Sequence, residues 1–309
     1  MVREVEPSLN EKTFLLQALH QGLRLDGRSP VERRELEAEV NPQDLGVVTV
    51  RLGQTKVTAS VSCEIVRPFP DRPTEGLLVI ASEFGTMASP AFDGQRSDEE
   101  VFIARHVDKT LRRSRCIDLE GLCIVAGEKV WSIRVDLHFL DHDGSLLDAA
   151  CFAAISALTH FRRPDVSVIG EEVTVHSIEE RNPVPLGIHH YPICITFAFF
   201  ELREATLNNT SGGEGGSGGA ATAADPTAEV IQQLCVVDPT LLEEQACKGR
   251  MSVSINSHHE ICAISKAGGM PLDHDLIIEC SKHALKMARP LITKAKSFAT
   301  SATAKKATK

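Results

Sequence analysis

Apolar and polar residues alternate with a period of two in four stretches of the chain. In "TKVTASVSCEIV", residues 55–66, Val57, Ala59, Val61, Cys63 and Ile65 share one side, and Thr58, Ser60, Ser62 and Glu64 the other. Such a pattern predicts a half-buried strand. The same spacing recurs through Trp131, Ile133, Val135, Leu137 and Phe139, and through Ile193, Ile195, Phe197 and Phe199. A shorter version runs through Met251, Val253 and Ile255. Helical periods separate these strands. "SDEEVFIARHVDKTLRR" begins with a Ser or Asp cap and acids and ends in bases, matching the helix macrodipole at both ends. "LDAACFAAISALTHF" is small and apolar along most of its length, so it should lie buried against a sheet. A last long helix is expected from about Asp273 to Lys296, kinked or divided at Pro290.

Two interruptions organise these elements. "NNTSGGEGGSGGAATAADPT", residues 208–227, has linker composition; strand-like segments flank it, so it reads as an overgrown hairpin loop. "EERNPVPLGIHH" marks a boundary between two mixed α/β units, after the strand-like "VSVIGEEVTVHS". At 309 residues and 42% hydrophobic content, the chain can bury a real core. It contains no 18-residue apolar run, and "MVREVEPSLNEK" is too charged for a signal peptide, so a soluble intracellular protein with no membrane partner is expected. Nine cysteines lie singly from Cys63 to Cys280, without a CxxC pair, and read as reduced thiols with neither disulfide nor zinc. A net charge of −9 argues against a surface coated for nonspecific nucleic-acid binding, so any such contact must be local.

Three segments carry candidate chemistry. "DHDGSLLDAA", residues 141–150, runs from a strand into a small-residue helix, a place where backbone N–H groups can hold phosphate. Ser145 and Asp148 have the spacing of a capping box. Asp148 would also set a negative charge against any phosphate; two like charges about 4 Å apart repel by about 1 kcal/mol in water and about 4 kcal/mol at an effective dielectric of 20. Asp238 and Glu244 in "VVDPTLLEEQ" have the chemistry to hold Mg²⁺ or to share proton transfer, while Asp238 before Pro239 also reads as a helix N-cap. On the basic helix, Arg105, Lys109 and Arg112 follow i, i+4, i+7 spacing on one stripe without interleaved acids, beside an apolar face of Val101, Ala104, Val107 and Leu111. That stripe is a solvated charged face or a contact for a phosphate backbone. The pairs His138 and His142, His189 and His190, and His258 and His259 have no metal-ligand geometry, so no metal site and no cofactor are assigned.

The segments "RLDGR" (24–28), "GVVTVRLGQTKVTASVSCEIV", "TEGLL", "CIDLEGLCIVAGEKVWSIRVDLHFLDHDGSLLDAA", "HFRRPDVSV" and "DPTLLEE" occur together in one order, from about residue 10 to 290. In this the chain resembles the RNase PH family and, within it, the eukaryotic RNA exosome ring subunits. The resemblance implies an α/β (α+β) two-domain RNase PH fold of ribosomal protein S5 domain 2-like βαβ units with mixed sheets. Domain 1 would span 1–184 and domain 2 185–309, with a disordered Gly-rich insert at about 205–227 and a disordered tail from about 297. It implies a hexameric ring with other RNase PH-like subunits, S1/KH cap subunits, a separate catalytic nuclease, RNA as partner, and residence in nucleus, nucleolus and cytoplasm. Active relatives carry out phosphorolysis with a Gly-Thr/Ser-Arg phosphate loop and acids in a D-x5-D pattern. Here Leu147 stands where the phosphate-binding Arg would be, with Asp148 beside it; Asp238 matches the first acid, Glu244 replaces the second, and Arg250 replaces a later Asp. Leu147, Asp148, Asp238 and Glu244 are therefore expected to be vestigial, and Arg105, Lys109 and Arg112 to touch RNA from the ring's pore. The alternatives are an active phosphorolytic exoribonuclease borrowing a neighbour's cation, and an interaction protein without RNA contact.

Overall fold

The computed structural model describes residues 6–304 except 42–43, 90–91, 93–97, 170–171, 178–179 and 204–230. The helix α1 (Leu9–His20) comes first, followed by β1 (Leu36–Val40), β2 (Val47–Leu52), β3 (Thr55–Val66) and β4 (Leu77–Phe84). Helix α2 (Asp98–Asp108) leads to β5 (Cys123–Val125), β6 (Lys129–Asp141) and α3 (Leu146–His160). Short strands β7 (Arg162–Arg163), β8 (Val166–Ile169), β9 (Glu172–Val175) and β10 (Val184–Pro185) precede β11 (Ile193–Arg203) and β12 (Ile231–Val237). Helix α4 (Leu241–Ala246), β13 (Gly249–Ile255), β14 (Ile261–Ser265) and α5 (His274–Ala304) complete the chain.

The period-two stretches form the centres of two sheets. In the first, the order is β1-β2-β3-β6-β4, with β5 also paired to β6. The β4 strand runs parallel to β6 and reaches it through α2, which gives the expected βαβ unit. The second sheet is antiparallel throughout, in the order β12-β11-β13-β14. Pairing of Phe197 with Val237 and Phe199 with Cys235 makes β11 and β12 the arms of the expected hairpin; its Gly-rich connection lies outside the described residues. "VSVIGEEVTVHS" supplies a separate hairpin, β8 with β9.

Helix α3 is buried along all its residues, because it packs on β2 and β3 with one face, on β11 with another, and against α2 and α5 at its flanks. Its alanines make this possible: a helix enclosed on every side needs small side chains where neighbouring backbones come close. On β11, Ile193, Ile195, Phe197 and Phe199 face this shared core, but Ala198 and Phe200 are buried too, under Leu15 and Leu19 of α1. The sequence pattern describes only one of these two faces. Helix α1 is capped by Ser8, whose Oγ accepts the Glu11 N–H at 3.3 Å while its own N–H donates to Glu11 Oε2 at 2.7 Å.

The C-terminal expectation needs correction. Pro290 lies inside α5 and does not divide it; the helix continues past Lys296 to Ala304, and residues 305–309 of the expected tail lie outside the described residues. Pro removes one donor and crowds the preceding turn. The apolar stripe of Cys280, Ala284 and Ala288 nevertheless continues beyond it through Ile292, Ala295 and Phe298, all buried, and this packing carries the helix through. Among the described residues no helix is long and apolar enough to cross a membrane.

Because α3 is wedged among so many neighbours, a hole in it cannot collapse. The Ile155→Ala substitution is expected to lower stability by about 2–5 kcal/mol, measured as a shift in the urea unfolding midpoint at unchanged slope.

Candidate functional site

The segment 24–34 wraps its arginines around the end of β12. Arg24, with a fully buried side chain, donates from Nε to Glu243 Oε1 at 2.9 Å, from Nη1 to Val237 O at 2.8 Å, and from Nη2 to Asp238 O at 2.9 Å. Arg34 donates to Asp238 three times: from its backbone N–H to Oδ2 at 2.9 Å, from Nε to Oδ2 at 3.0 Å, and from Nη2 to Oδ1 at 2.8 Å. Arg28 Nη1 adds a contact of 3.2 Å to Asp238 Oδ2. Burial by itself would raise the Asp238 pKa, but these guanidinium hydrogen bonds outweigh it and hold the carboxyl at about 2. Asp238 is not the expected helix N-cap. It sits in the left-handed region, φ 49°, where its carboxylate turns inward to the arginines. The cap of α4 falls to Thr240, whose N–H donates to Glu243 Oε2 at 2.8 Å.

Arg34 also joins this acid to the candidate phosphate loop. Its Nη1 donates to the Asp143 carbonyl at 2.7 Å, and its Nη2 to the Gly144 carbonyl at 3.3 Å. Gly144 has φ 82°, and a Cβ there would fall 2.5 Å from the Pro239 carbonyl oxygen. Only glycine lets the two halves of the chain approach this closely. At the first helical turn the capping box is absent. Ser145 has φ 51° and gives its hydroxyl to Pro239 O at 3.1 Å. Asp148 turns away from the helix end and accepts from the Thr196 N–H at 2.9 Å and the Thr196 hydroxyl at 2.7 Å. Complete burial raises Asp148 to about 6, against the opposing effect of Arg33 and Thr196. All three guanidinium nitrogens of Arg33 are buried without a hydrogen-bond partner among the described residues, yet their charge lowers the pKa of both Asp148 and Asp238.

The carboxylate found at this helix N-terminus belongs to Glu244. Its Oε1 accepts the Ser145 N–H at 2.9 Å, and its Oε2 meets Arg250 Nη1 at 3.2 Å. Arg250 reaches on to Glu99 Oε1 at 3.5 Å, so the contact links α4 and β13 to the first turn of α2. Burial raises Glu244 to about 7; the nearby Glu99 and Asp148 add to this, and Arg250 and the Ser145 N–H offset part of it. Ser145, Leu147, Glu99, Glu244 and Arg250 line one cavity with Phe102, and Arg250 is its only Lys or Arg among the described residues. Leu147 is buried beside it.

The basic stripe is altered by a change of helix type. After Asp108 the chain takes a π-helical turn, Lys109–Arg113, with one more residue between hydrogen-bonded groups than in an α-helix. Arg105 and Arg112 are exposed and Lys109 is half-buried. The expected absence of acids fails at one point: Arg112 Nη2 pairs with Asp108 Oδ2 at 2.7 Å. Arg113 is exposed alongside, with no ion pair among the described residues. The apolar face is Ile103, Val107 and Leu111, whereas Val101 and Ala104 are only half-buried. Ser97, the expected cap, lies outside the described residues. No group of three or more potential metal ligands occurs among the described residues. His138 faces Glu83 at 3.4 Å, and His142 Nδ1 accepts the Gly144 N–H at 3.3 Å.

Two family models match the two halves that these contacts join: the 3′ exoribonuclease family (RNase PH) domain 1 over residues 32–164, and its domain 2 over residues 190–287. The chain belongs to the RNase PH family. It is 45% identical over 289 residues to the exosome complex component rrp45 of Schizosaccharomyces pombe, covering 93% of this chain and 89% of that protein. It is 45% identical to human exosome complex component RRP45, covering 92% of this chain and 58% of that protein. Among solved structures, an Archaeoglobus fulgidus exosome with RNA bound to the active site is similar over 92% of this chain and 97% of that one, with a TM-score of 0.73 and 27% identity. An archaeal exosome core is also similar, with a TM-score of 0.68 and 27% identity, over 93% of this chain and 96% of that one. The two-domain RNase PH fold, with helices and mixed sheets, is thereby established for this chain.

Four of the sequence-predicted residues meet around the α3 N-terminus or beside it: Leu147, Asp148, Asp238 and Glu244. Arg105, Lys109 and Arg112 stand apart on α2 and its π turn. Sequence reasoning passed over Arg24, Arg28, Arg33 and Arg34, although "RLDGRSPVERR" concentrates cations and needed only a buried acid to explain them.

Both raised carboxyls cost stability when charged. A carboxyl whose pKa is higher folded than unfolded favours the folded state most below its unfolded value, and that advantage is lost as pH rises through the folded value. Relative to Glu244→Gln, the wild type is therefore expected to gain thermal stability as pH falls from about 8 to about 5. Asp238 has the opposite sign, and its stabilising contribution should disappear as pH drops from about 4 towards 2. Thermal midpoints of wild type, Glu244→Gln and Asp238→Asn across this range test both slopes. Glu243→Ala, which leaves Arg24 charged and buried, is expected to cost about 3–5 kcal/mol in chemical denaturation.

Proposed function

We propose that this chain is a non-catalytic RNase PH-like ring subunit of the RNA exosome, which shapes the ring and lines its RNA path. The observation that carries the inactive reading is the Glu244 carboxylate on the Ser145 N–H, 2.9 Å away, at the helix end where phosphate is expected in active relatives. An attacking phosphate would have to displace a carboxyl group already hydrogen-bonded there. Leu147 offers no cation in return, and Arg250 is held between Glu244 and Glu99. Losing a single oxyanion donor commonly lowers turnover roughly 100- to 1000-fold, and here both the position and the charge are missing. Asp238 is likewise engaged as a structural acid by Arg28 and Arg34.

The ring reading is supported by the exosome components named among the relatives and by the two archaeal exosome folds. It assembles the chain with other RNase PH-like subunits in a hexamer, under S1/KH cap subunits and beside a separate catalytic nuclease, in nucleus, nucleolus and cytoplasm. Arg105, Lys109 and Arg112 are the RNA contacts of this reading, with Arg113 exposed next to them. Contacts of this kind grip a phosphate backbone without reading bases, as a sequence-tolerant channel requires.

Exonuclease assays on 3′-extended RNA, with the chain alone and with its co-purifying partners, are expected to give no phosphate-dependent nucleoside diphosphate attributable to this subunit. Product that appears with phosphate and disappears on Asp238→Asn would overturn the inactive reading. Reversing charge with Arg105→Glu and Lys109→Glu is expected to weaken RNA crosslinking at this subunit at least about tenfold at low salt, with a shallower salt dependence.

A further inference from the structure

In the second sheet, β12 alternates like its neighbours: Leu234 and Val236 turn towards α1, while Cys235 and Val237 turn towards the shared core. Cys235 meets Cys280 of α5 there, Sγ to Sγ at 3.5 Å, although the two are 45 positions apart in the chain. We propose that Cys235 and Cys280 form an oxidative modification site, a thiol pair that a hydroperoxide converts reversibly into a disulfide binding the edge strand β12 to α5.

Three features support this. Contact between the two sulfurs means that only a small closing movement is required, since a disulfide needs about 2.05 Å. The hydrogen bond from Cys235 lowers the pKa of the Cys280 thiol, favouring the thiolate that reacts with peroxide. Cys280 is itself buried, but its partner Cys235 is only half-buried and gives a small oxidant a way in to the pair. A second pair supplies the contrast: Cys194 contacts Cys151, but neither of them is half-buried as Cys235 is, and burial and Cys151 together raise the Cys194 pKa well above the ordinary value.

The chemistry balances in two steps. The Cys280 thiolate attacks one peroxide oxygen, breaking the O–O bond to give a sulfenic acid and hydroxide, which takes up a proton to become water. Cys235 sulfur then attacks the sulfenic sulfur; the S–S bond forms, the S–O bond breaks, and the departing hydroxide takes the Cys235 proton as a second water. In sum, two thiols lose two electrons and two protons, and one hydrogen peroxide becomes two waters. The bond would tether the strand that delivers Asp238 to its arginines and close a long loop, which restricts the unfolded chain.

The full chain, with whatever partners co-purify, is treated with graded hydrogen peroxide, blocked with N-ethylmaleimide and mapped by mass spectrometry without reduction. A linked Cys235–Cys280 peptide pair is expected to accumulate before any change at Cys151 or Cys194 and to revert with dithiothreitol. It should raise the thermal midpoint by roughly 5 °C in wild type but not in Cys235→Ser. Because Cys235 is half-buried, that variant should fold, and its reduced-state midpoint provides the check. Sulfinic or sulfonic acid at either cysteine without linkage, linkage only in denaturant, or equal oxidation of the Cys151 and Cys194 pair would overturn the proposal.

Discussion

A single buried carboxylate, Asp238, holds the two halves of the molecule in register. Three hydrogen bonds from Arg34 and one from Arg28 end on it across the domain junction, while the same Arg34 guanidinium grips the carbonyls of Asp143 and Gly144 within the first half. The hydrophobic core shared by the two sheets supplies area but no direction, because apolar burial has no angular preference. Direction comes from this fork of planar, bidentate contacts, which accepts only one arrangement of β12 against the turn after β6. With Gly144 permitting backbone to touch backbone, the geometry of the entire α3 N-terminus follows.

The two acids that active relatives would use for chemistry have consequently been sent in opposite directions. Asp238, surrounded by cations, is a permanent anion; Glu244, enclosed with one arginine and two other acids near it, titrates close to neutrality. Neither environment resembles a general acid and base facing a common substrate. Glu244 takes part instead in an electrostatic chain, Ser145 N–H to Glu244 to Arg250 to Glu99, which crosses from the first half to the second and returns to the helix that presents the basic residues. These contacts make the helix end an internal brace between the two halves.

Much of this architecture was legible in the alternation of side chains and in the alanine-rich run of α3, since burial on one face leaves a period in the sequence. Legibility failed where two demands met at one residue. Ser145 and Asp148 satisfy the spacing of a capping box, yet Pro239 and Thr196, remote in sequence, compete for the same groups and win. Asp238 before Pro239 is locally a cap, but two cations recruited from residues 24–34, Arg28 and Arg34, turn its carboxylate inward. The double burial of β11 was hidden because its second face, Ala198 and Phe200, is covered by α1, whose Ser-x-x-Glu start is a short signal easily passed over. Pro290 was read as a break because the stripe that overrides it lies in the contacts of Ile292 and Ala295, not in the proline's own neighbourhood. The π turn at Lys109–Arg113 left no local mark at all.

The hairpin of β11 and β12 has a further meaning for how such a chain can vary. Its register is set by seven matched positions, Phe197 with Val237 through Arg203 with Ile231, and not by whatever joins the strands. Once strands choose their own partners, the length of the connection enters the free energy only logarithmically, so doubling it costs about 0.6 kcal/mol. Evolution can lengthen, shorten or recompose that stretch almost silently, and an experimenter can place a fluorophore or an affinity handle there without disturbing the sheet beneath.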